Sequence, residues 1–384
     1  MLRHVAVIGK TGSGKSVLLE HLIVADLHAG RGFALLDPHG DLVDRVLSLV
    51  PRRRKNDVIL FNPSVPAHAL PMNLLERVEP RSRPRVASGV LAAFRKVYAP
   101  QGTWGPRLEH IFRNALLALL EVPRATIADV PRLLLEERFR AMVVEKVTDP
   151  IVRHFWLVEL PSYGRMTAEI VAPVLNKVGA VLTNPMVRAV VGRSRSAFDV
   201  RQVMDDGRVL LARLAKGELG EDASAILGAL LLARIQVAAY SRASSPPESR
   251  RQFHLYVDEA GSFATTAFGE MLSEARKFGV GVVLACQYVG QLDERLRDAV
   301  LANVRTLVCF RLGAEDAEVV GAEMEPEITA RDLMRLGEHQ IALRLSVGGA
   351  TSVPFTAVTL APVGIAPGVP IESQGHSRDA TQMS

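Results

Sequence analysis

Residues Gly9, Lys10, Thr11, Gly12, Ser13, Gly14, Lys15 and Ser16 form a complete G-x-x-x-x-G-K-[ST] loop directly behind the apolar run His4 to Ile8. A strand that ends in a glycine-rich turn and restarts as a helix near Lys15 aims backbone N–H groups and the positive end of a helix dipole at one point. Phosphate is the ligand that such a point selects. In this Walker A pattern Lys15 reaches the β- and γ-phosphate oxygens, and the Ser16 hydroxyl is a ligand for Mg²⁺. The helix Val17 to Ala25 follows in the order the motif requires.

A second signature is Phe253 to Glu259, an apolar strand closed by the adjacent carboxylates of Asp258 and Glu259. This is the Walker B pattern. Asp258 would complete the Mg²⁺ shell, and Glu259 would orient or deprotonate the attacking water, which points to hydrolysis rather than nucleotide storage. A third is Asp37-Pro38-His39-Gly40-Asp41, at the end of the second strand of the chain. Its carboxylates and histidine could suggest a metal, but Pro38 and Gly40 suit a tight turn, and His39 reads as a structural hydrogen-bonding group. A fourth is Ala285-Cys286-Gln287. There Gln287 ends a strand and could report the γ-phosphate to moving parts, or be a surface glutamine.

The elements that must position these residues are short apolar runs bounded by turns. They are 5–8, 33–36, 58–61, 209–214, 255–257, 280–286 and 307–310, with a late pair at 341–345 and 355–360. Between Phe61 and Val209 the spacing turns helical, at 86–96, 108–120, 130–137, 139–148, 151–160 and 167–182. So long a stretch cannot be a structureless loop. The pattern predicts an α/β fold with a mainly parallel central sheet and a largely helical inserted domain. Residues 1–75 and 196–361 would form the discontinuous α/β domain, 76–195 the all-α insertion, and 362–384 a disordered tail rich in Pro, Gly and Ser.

At 384 residues the chain has material for two cores. The longest apolar stretch, Ala225 to Ala239, is broken by Arg234 and Gln236, so no membrane span is expected, and the start of the chain leaves no room for a targeting segment. Cys286 and Cys309 read as reduced core thiols of a cytosolic protein. A net charge of +5 makes a polyanionic partner possible, with arginine clusters at 52–55, 81–85 and 188–201. Each single cluster reads first as a solvated face.

The order GKTGSGKS, LLDPHGDL, WGPRLEHIFRNALLAL, GRVLLARLAKGELGED, LYVDEAGSF, ARKFGVGVVLACQYVGQL and NVRTLVCFRLGAEDAE resembles the DNA-pumping ATPases of the HerA/FtsK superfamily. Within it the chain is most similar to the TraD/TraG-like coupling proteins of conjugation and type IV secretion, over residues 3–360. The resemblance implies a RecA-like P-loop NTPase that binds ATP and Mg²⁺ and assembles as a homohexamer around DNA. A relaxase or other nucleoprotein would be its cargo and secretion-channel proteins its partners, at the cytoplasmic face of the inner membrane. It places Gln287 at the sensor position and Asp41 close to the γ-phosphate. Arg311 becomes the candidate arginine finger for a neighbouring subunit, with Arg305 as substitute and with pairing to Glu315 or Asp316 as the plain alternative. Ala260 and Gly261 stand where relatives carry a bulky Phe and an amide, which predicts a looser loop after Glu259. Trp104 and Arg107 open the best-defined helix of the insertion, with Trp104 expected as a core anchor. Two other functions fit the same motifs: a protein-secretion motor, and a recruiting adaptor that hydrolyses little.

Overall fold

Nearly continuous apolar runs give strands that are buried on both faces, and such strands pair in parallel when helices cover both sides. The computed structural model of the chain, which describes residues 4–347 and 349–364, arranges them in this way. The strands are β1 (Val5–Ile8), β2 (Gly32–Asp37), β3 (Val58–Phe61), β4 (Val209–Arg213), β5 (Phe253–Val257), β6 (Val280–Cys286), β7 (Thr306–Cys309), β8 (Gln340–Arg344), β9 (Ser346–Val347), β10 (Ala350–Thr351) and β11 (Phe355–Val358). Nine of them form one sheet in the order β11-β8-β7-β1-β6-β5-β2-β4-β3. From β7 to β3 every pairing is parallel. The late pair adds to the edge antiparallel instead: β8 runs against β7 after a helical connection, and β11 runs against β8 after the chain turns back through the short β9–β10 hairpin. That hairpin carries no apolar run and was not expected.

Strand alternation divides the core into two layers. Val7, Phe33, Leu35, Val209, Leu211 and Val283 face helices α1 (Lys15–His28) and α2 (Asp41–Leu49). Ala6, Ile8, Ala34, Leu36, Leu210 and Leu284 face the other side, where the long helix Glu221–Ser241 lies. That helix is apolar around its circumference because it is covered on all sides. Beyond it sit the helices of the insertion, led by α3 (Arg83–Tyr98) and α4 (Pro106–Leu119). The buried stripe Val86, Val90, Phe94 and Val97 belongs to the same contiguous core as the sheet, and a Cβ on Gly89 would stand 2.9 Å from that of Ala233. Insertion and sheet thus share one wall, the helix Glu221–Ser241.

The expected strands and helices appear with ends shifted by a few residues, except that 151–160 is divided into Pro150–His154, a π-helical turn Phe155–Glu159, and Leu160–Ser162. Two helices meet the length and hydropathy of a membrane span, Gly164–Thr183 and Glu221–Ser244, where none was expected. The window of the second is 72% buried inside the fold, which accounts for its apolar character. The first buries one face, through Ile170, Val171, Val174, Val178 and Val181. Most of the tail assigned to residues 362–384 lies outside the described residues. Both cysteines are buried and free on the strands that flank β1, and burial pushes the Cys286 thiol up to about 12.

His4 stands at the foot of β1, where its Nδ1 accepts the Val282 N–H at 3.0 Å. Burial, and then the charge of Arg276, pull its pKa from 6.5 down to about 4. A base whose folded pKa is depressed leaves stability untouched above its unfolded value, and stability falls as protons bind the unfolded chain first. We therefore expect stability to decline between pH 6.5 and pH 4 by about 3 kcal/mol from this group. His4→Asn, whose Oδ1 can replace the Nδ1 acceptor, should flatten that part of a urea-denaturation pH series.

Candidate nucleotide site

Parallel pairing brings the carboxyl ends of β1, β2, β4, β5, β6 and β7 to one edge of the sheet, the edge at which ligands of such sheets collect. The Walker A loop leaves β1 between β6 and β7, and both neighbours hold it. Gly9 N–H donates to the Cys286 carbonyl at 3.2 Å, and Lys10 N–H points at the Arg311 carbonyl at 3.5 Å. A Cβ on Gly9 would fall 2.5 Å from the Cβ of buried Phe310, so the loop passes too close to that side chain for any residue but glycine. Gly14 caps α1 at φ 106, a backbone that other residues rarely adopt, and Lys15 is the first helical residue.

Lys15 is buried, and its Nζ donates to the Gly9 carbonyl at 2.6 Å and the Lys10 carbonyl at 3.0 Å. Burial lowers its pKa, against the opposing charge of Asp258. Ser13 Oγ is also buried and has no hydrogen-bond partner among the described residues. An ammonium curled over its own loop and an orphaned hydroxyl within that loop fit a polyphosphate. Lys10, Thr11 and Ser16 are exposed along the same turn.

Asp258 follows β5 and is buried, with its backbone N–H donating to the Leu36 carbonyl at 3.0 Å. Burial, and then the charge of Asp37, push its carboxyl up to about 6, against the pull of Lys15. A buried carboxylate with a second one beside it and an ammonium nearby fits a divalent cation, with Asp258 as the group free to hold it. Among the described residues no three His, Cys, Asp or Glu side chains cluster as metal ligands.

Glu259 adopts a left-handed backbone, φ 50, which turns its side chain into a ring of donors. Its Oε2 accepts from Lys216 Nζ at 2.6 Å and Ser262 Oγ at 3.0 Å, and its Oε1 from Gln287 Nε2 at 2.6 Å. His39 Nε2 lies 3.4 Å from Oε2. Burial would raise the carboxyl, but the bond and charge of Lys216 outweigh it and hold the group below the usual carboxylate range. Gln287 thus meets Glu259 directly. The loop beyond Glu259 is firm rather than loose: Ala260–Ser262 forms a 3-10 turn, and a Cβ on Gly261 would collide with that of Gln291 at 2.7 Å.

The turn after β2 distributes its residues differently from the sequence reading. Asp37, fully buried, accepts the N–H groups of His39 at 2.8 Å and Val43 at 3.0 Å and so fixes the start of α2. Asp41 is exposed on the first turn of α2 and has no side-chain partner among the described residues. Arg311 is exposed just past β7, beside the Walker A loop of its own chain, and among the described residues it pairs with neither Glu315 nor Asp316. Asp316 instead accepts the Val289 N–H at 2.8 Å. Arg305 precedes β7 and therefore lies at the opposite end of the sheet from the nucleotide edge.

Several arginines expected on solvated faces are structural. Arg54 is buried and donates to the carbonyls of Arg31 and Gly207, each at 2.7 Å. Arg83 pairs with Glu121, Arg85 covers the Tyr240 ring, and Arg201 bonds Ser241 and Ser245. Arg193 and Arg195 remain exposed. Trp104 is half-buried against the core and donates to Glu109 at 3.1 Å, as an anchor would. Lys216 is the residue that motif reading passed over. It lies in the run Leu214-Ala215-Lys216-Gly217 after β4, and only its position past a strand's carboxyl end could have marked it.

A sequence profile for the type IV secretion-system coupling protein DNA-binding domain matches residues 2–342. The chain is 22% identical to the type 4 coupling protein DotL of Legionella pneumophila subsp. pneumophila, over 81% of this chain and 47% of that protein. It therefore spans about half the length of that relative. Among solved structures, the bacterial conjugative coupling protein TrwBdeltaN70 superposes with a TM-score of 0.69 at 18% identity, covering 96% of this chain and 86% of the other. The plasmid coupling protein TrwB in complex with the ATP analogue ADPNP gives 0.69 at 20% identity, with coverage of 96% and 87%. VirB4 of Thermoanaerobacter pseudethanolicus gives 0.59 at 14% identity, with coverage of 94% and 90%. These likenesses establish the RecA-like fold.

Proposed function

The chain belongs to the type IV secretion-system coupling protein DNA-binding domain family, and from that premise we propose that it is an ATP-hydrolysing motor that moves DNA in conjugative transfer or type IV secretion. One observation carries the enzymatic part. Glu259 stands at the nucleotide edge directly after Asp258, with its carboxylate oriented by Gln287. That TrwB has been solved with ADP and Mg²⁺ supports the same ligands here.

Bound ATP supplies the phosphoanhydride bond, and Mg²⁺ neutralises the charge that develops on its phosphates. Lys15 would leave its two backbone carbonyls for phosphate oxygens, and the N–H groups of the Walker A loop would hold the remaining charge. Ser16 and Asp258 would hold the cation. Glu259 would orient water and take its proton at a carboxylate oxygen, and Gln287 would sense the state of that oxygen. Residues 76–195 act in this reading as the cargo-selecting insertion, and the motor works as a homohexameric ring at the cytoplasmic face of the membrane, with a relaxase or similar nucleoprotein as cargo.

Turnover of the assembled protein should rise when DNA is added. Binding should show little sequence preference, with log affinity falling linearly against log salt, because phosphate contacts carry no base information. A filter-binding salt series and a coupled ATPase assay measure both. Hydrolysis that ignores DNA but responds to a protein cargo would transfer the reading to a protein-secretion motor, and negligible hydrolysis under all conditions to an adaptor.

A further inference from the structure

The salt bridge between Lys216 and Glu259 joins residues 43 positions apart and is the shortest ionic contact at the nucleotide edge, at 2.6 Å. Lys216 is not fixed by its side chain alone. Its backbone N–H donates to the Pro38 carbonyl at 2.8 Å, and Leu214 N–H donates to the Asp37 carbonyl at 2.8 Å, so the stretch after β4 is laced to the turn after β2. On the other side, the Lys216 carbonyl accepts from Gly220 at 2.9 Å, and Ser224 Oγ donates to the Leu214 carbonyl at 2.6 Å. Gly220 takes φ 83 and opens the long helix Glu221–Ser241. That helix is the wall shared with the insertion, where α3 packs along it so closely that Gly89 meets Ala233. A continuous covalent and packed path therefore runs from the insertion to the ammonium that holds Glu259.

The chemistry of the contact sets its effect. A glutamate that must collect water needs its charge and a free lone pair. Here the Lys216 ammonium and the Ser262 hydroxyl occupy Oε2, Gln287 takes one acceptor site of Oε1, and the ammonium neutralises the charge that would draw a proton from water. His39 on the turn after β2 also approaches Oε2, at the longer distance of 3.4 Å, while Lys15 on α1 bonds its own loop and Asp258 accepts the Glu259 N–H. We propose that Lys216 is a positioning residue that latches Glu259 in a restrained state, and that displacement of the helix Glu221–Ser241 by cargo on the insertion withdraws the ammonium and frees the carboxylate. The inference rests on the reading of Glu259 as the water-activating group.

The test compares Lys216→Ala, Lys216→Arg and Glu259→Gln in the assembled protein, with ATP turnover measured with and without DNA. Lys216→Ala should raise the DNA-free kcat by about tenfold, a moderate yield for one charge-assisted hydrogen bond, while the ATP KM stays within about a factor of two. The stimulation by DNA should shrink correspondingly. Lys216→Arg, which keeps a cation within reach, should restore low basal turnover and most of the stimulation. If Lys216→Ala turns over no faster than the unsubstituted protein without DNA while Glu259→Gln is inactive, the latch is refuted and the role of Glu259 stands. If Glu259→Gln is fully active, the water-activating reading falls and takes the latch with it. Should Lys216→Ala not fold, as judged by its melting curve, Lys216→Gln applies the same test, since it keeps a hydrogen-bond donor but removes the charge.

Discussion

Glu259→Gln should slow ATP hydrolysis by about 10² to 10⁴ while leaving ATP affinity close to that of the unsubstituted protein. The amide keeps the shape of the carboxylate and can still accept from Lys216 or Gln287, so the turn that follows β5 should persist. What it loses is the ability to take a proton, and a general base that is replaced by its neutral isostere removes transition-state stabilisation without removing ground-state contacts. Lys15→Ala gives the opposite signature. Its amine is the buried cation of the Walker A loop, and its loss should abolish nucleotide binding, so turnover fails for want of substrate. Titration of a fluorescent nucleotide analogue against each variant, beside single-turnover hydrolysis, separates the two. Near-normal turnover in Glu259→Gln would remove Glu259 from the chemistry.

How far the site could be read in advance depended on sequence distance. The Walker A loop is local: strand, glycines and helix follow one another, so eight adjacent residues carried their own geometry. Asp258 and Glu259 were legible for the same reason, since an apolar strand delivers whatever follows it to the carboxyl edge. The contacts of Glu259 were not, because Lys216, His39 and Gln287 come from the ends of three other strands and meet only when the sheet order is known. In the turn after β2 two aspartates stand four residues apart, and only the backbone shows that they take different places. Asp37 accepts two N–H groups within that turn and is buried, whereas Asp41 enters α2 facing solvent. Arg54 shows the same limit in a basic run: pattern counts its charge, but only the fold reveals that two carbonyls consume its donors. Strand polarity at the sheet edge was equally hidden, for nothing in the composition of β8 or β11 says which way either runs against its neighbour.

Arg311→Ala should silence hydrolysis by about 10³ to 10⁵ without weakening ATP binding, if the guanidinium serves the nucleotide of an adjacent subunit. Geometry makes the backbone and side chain of Arg311 separable. Its carbonyl faces the Lys10 N–H and helps to seat the Walker A loop of its own chain, a role that alanine retains. The side chain is exposed and, among the described residues, unpaired with the acidic pair Glu315 and Asp316, so its loss breaks no salt bridge of the fold. A finger acting across a boundary has a property that no residue acting within its own chain can have. Arg311→Ala subunits keep a sound Walker A loop and Lys15→Ala subunits keep a sound finger, so a mixed ring regenerates competent interfaces. At equal mixing about one interface in four should pair the two, because contacts in a ring run head to tail. Activity should therefore reappear when two inactive proteins are co-assembled, and should vanish again when both substitutions are placed in one chain. Hetero-oligomers that demonstrably form yet stay inactive would exclude Arg311 as a residue acting in trans and confine it to the loop it seats.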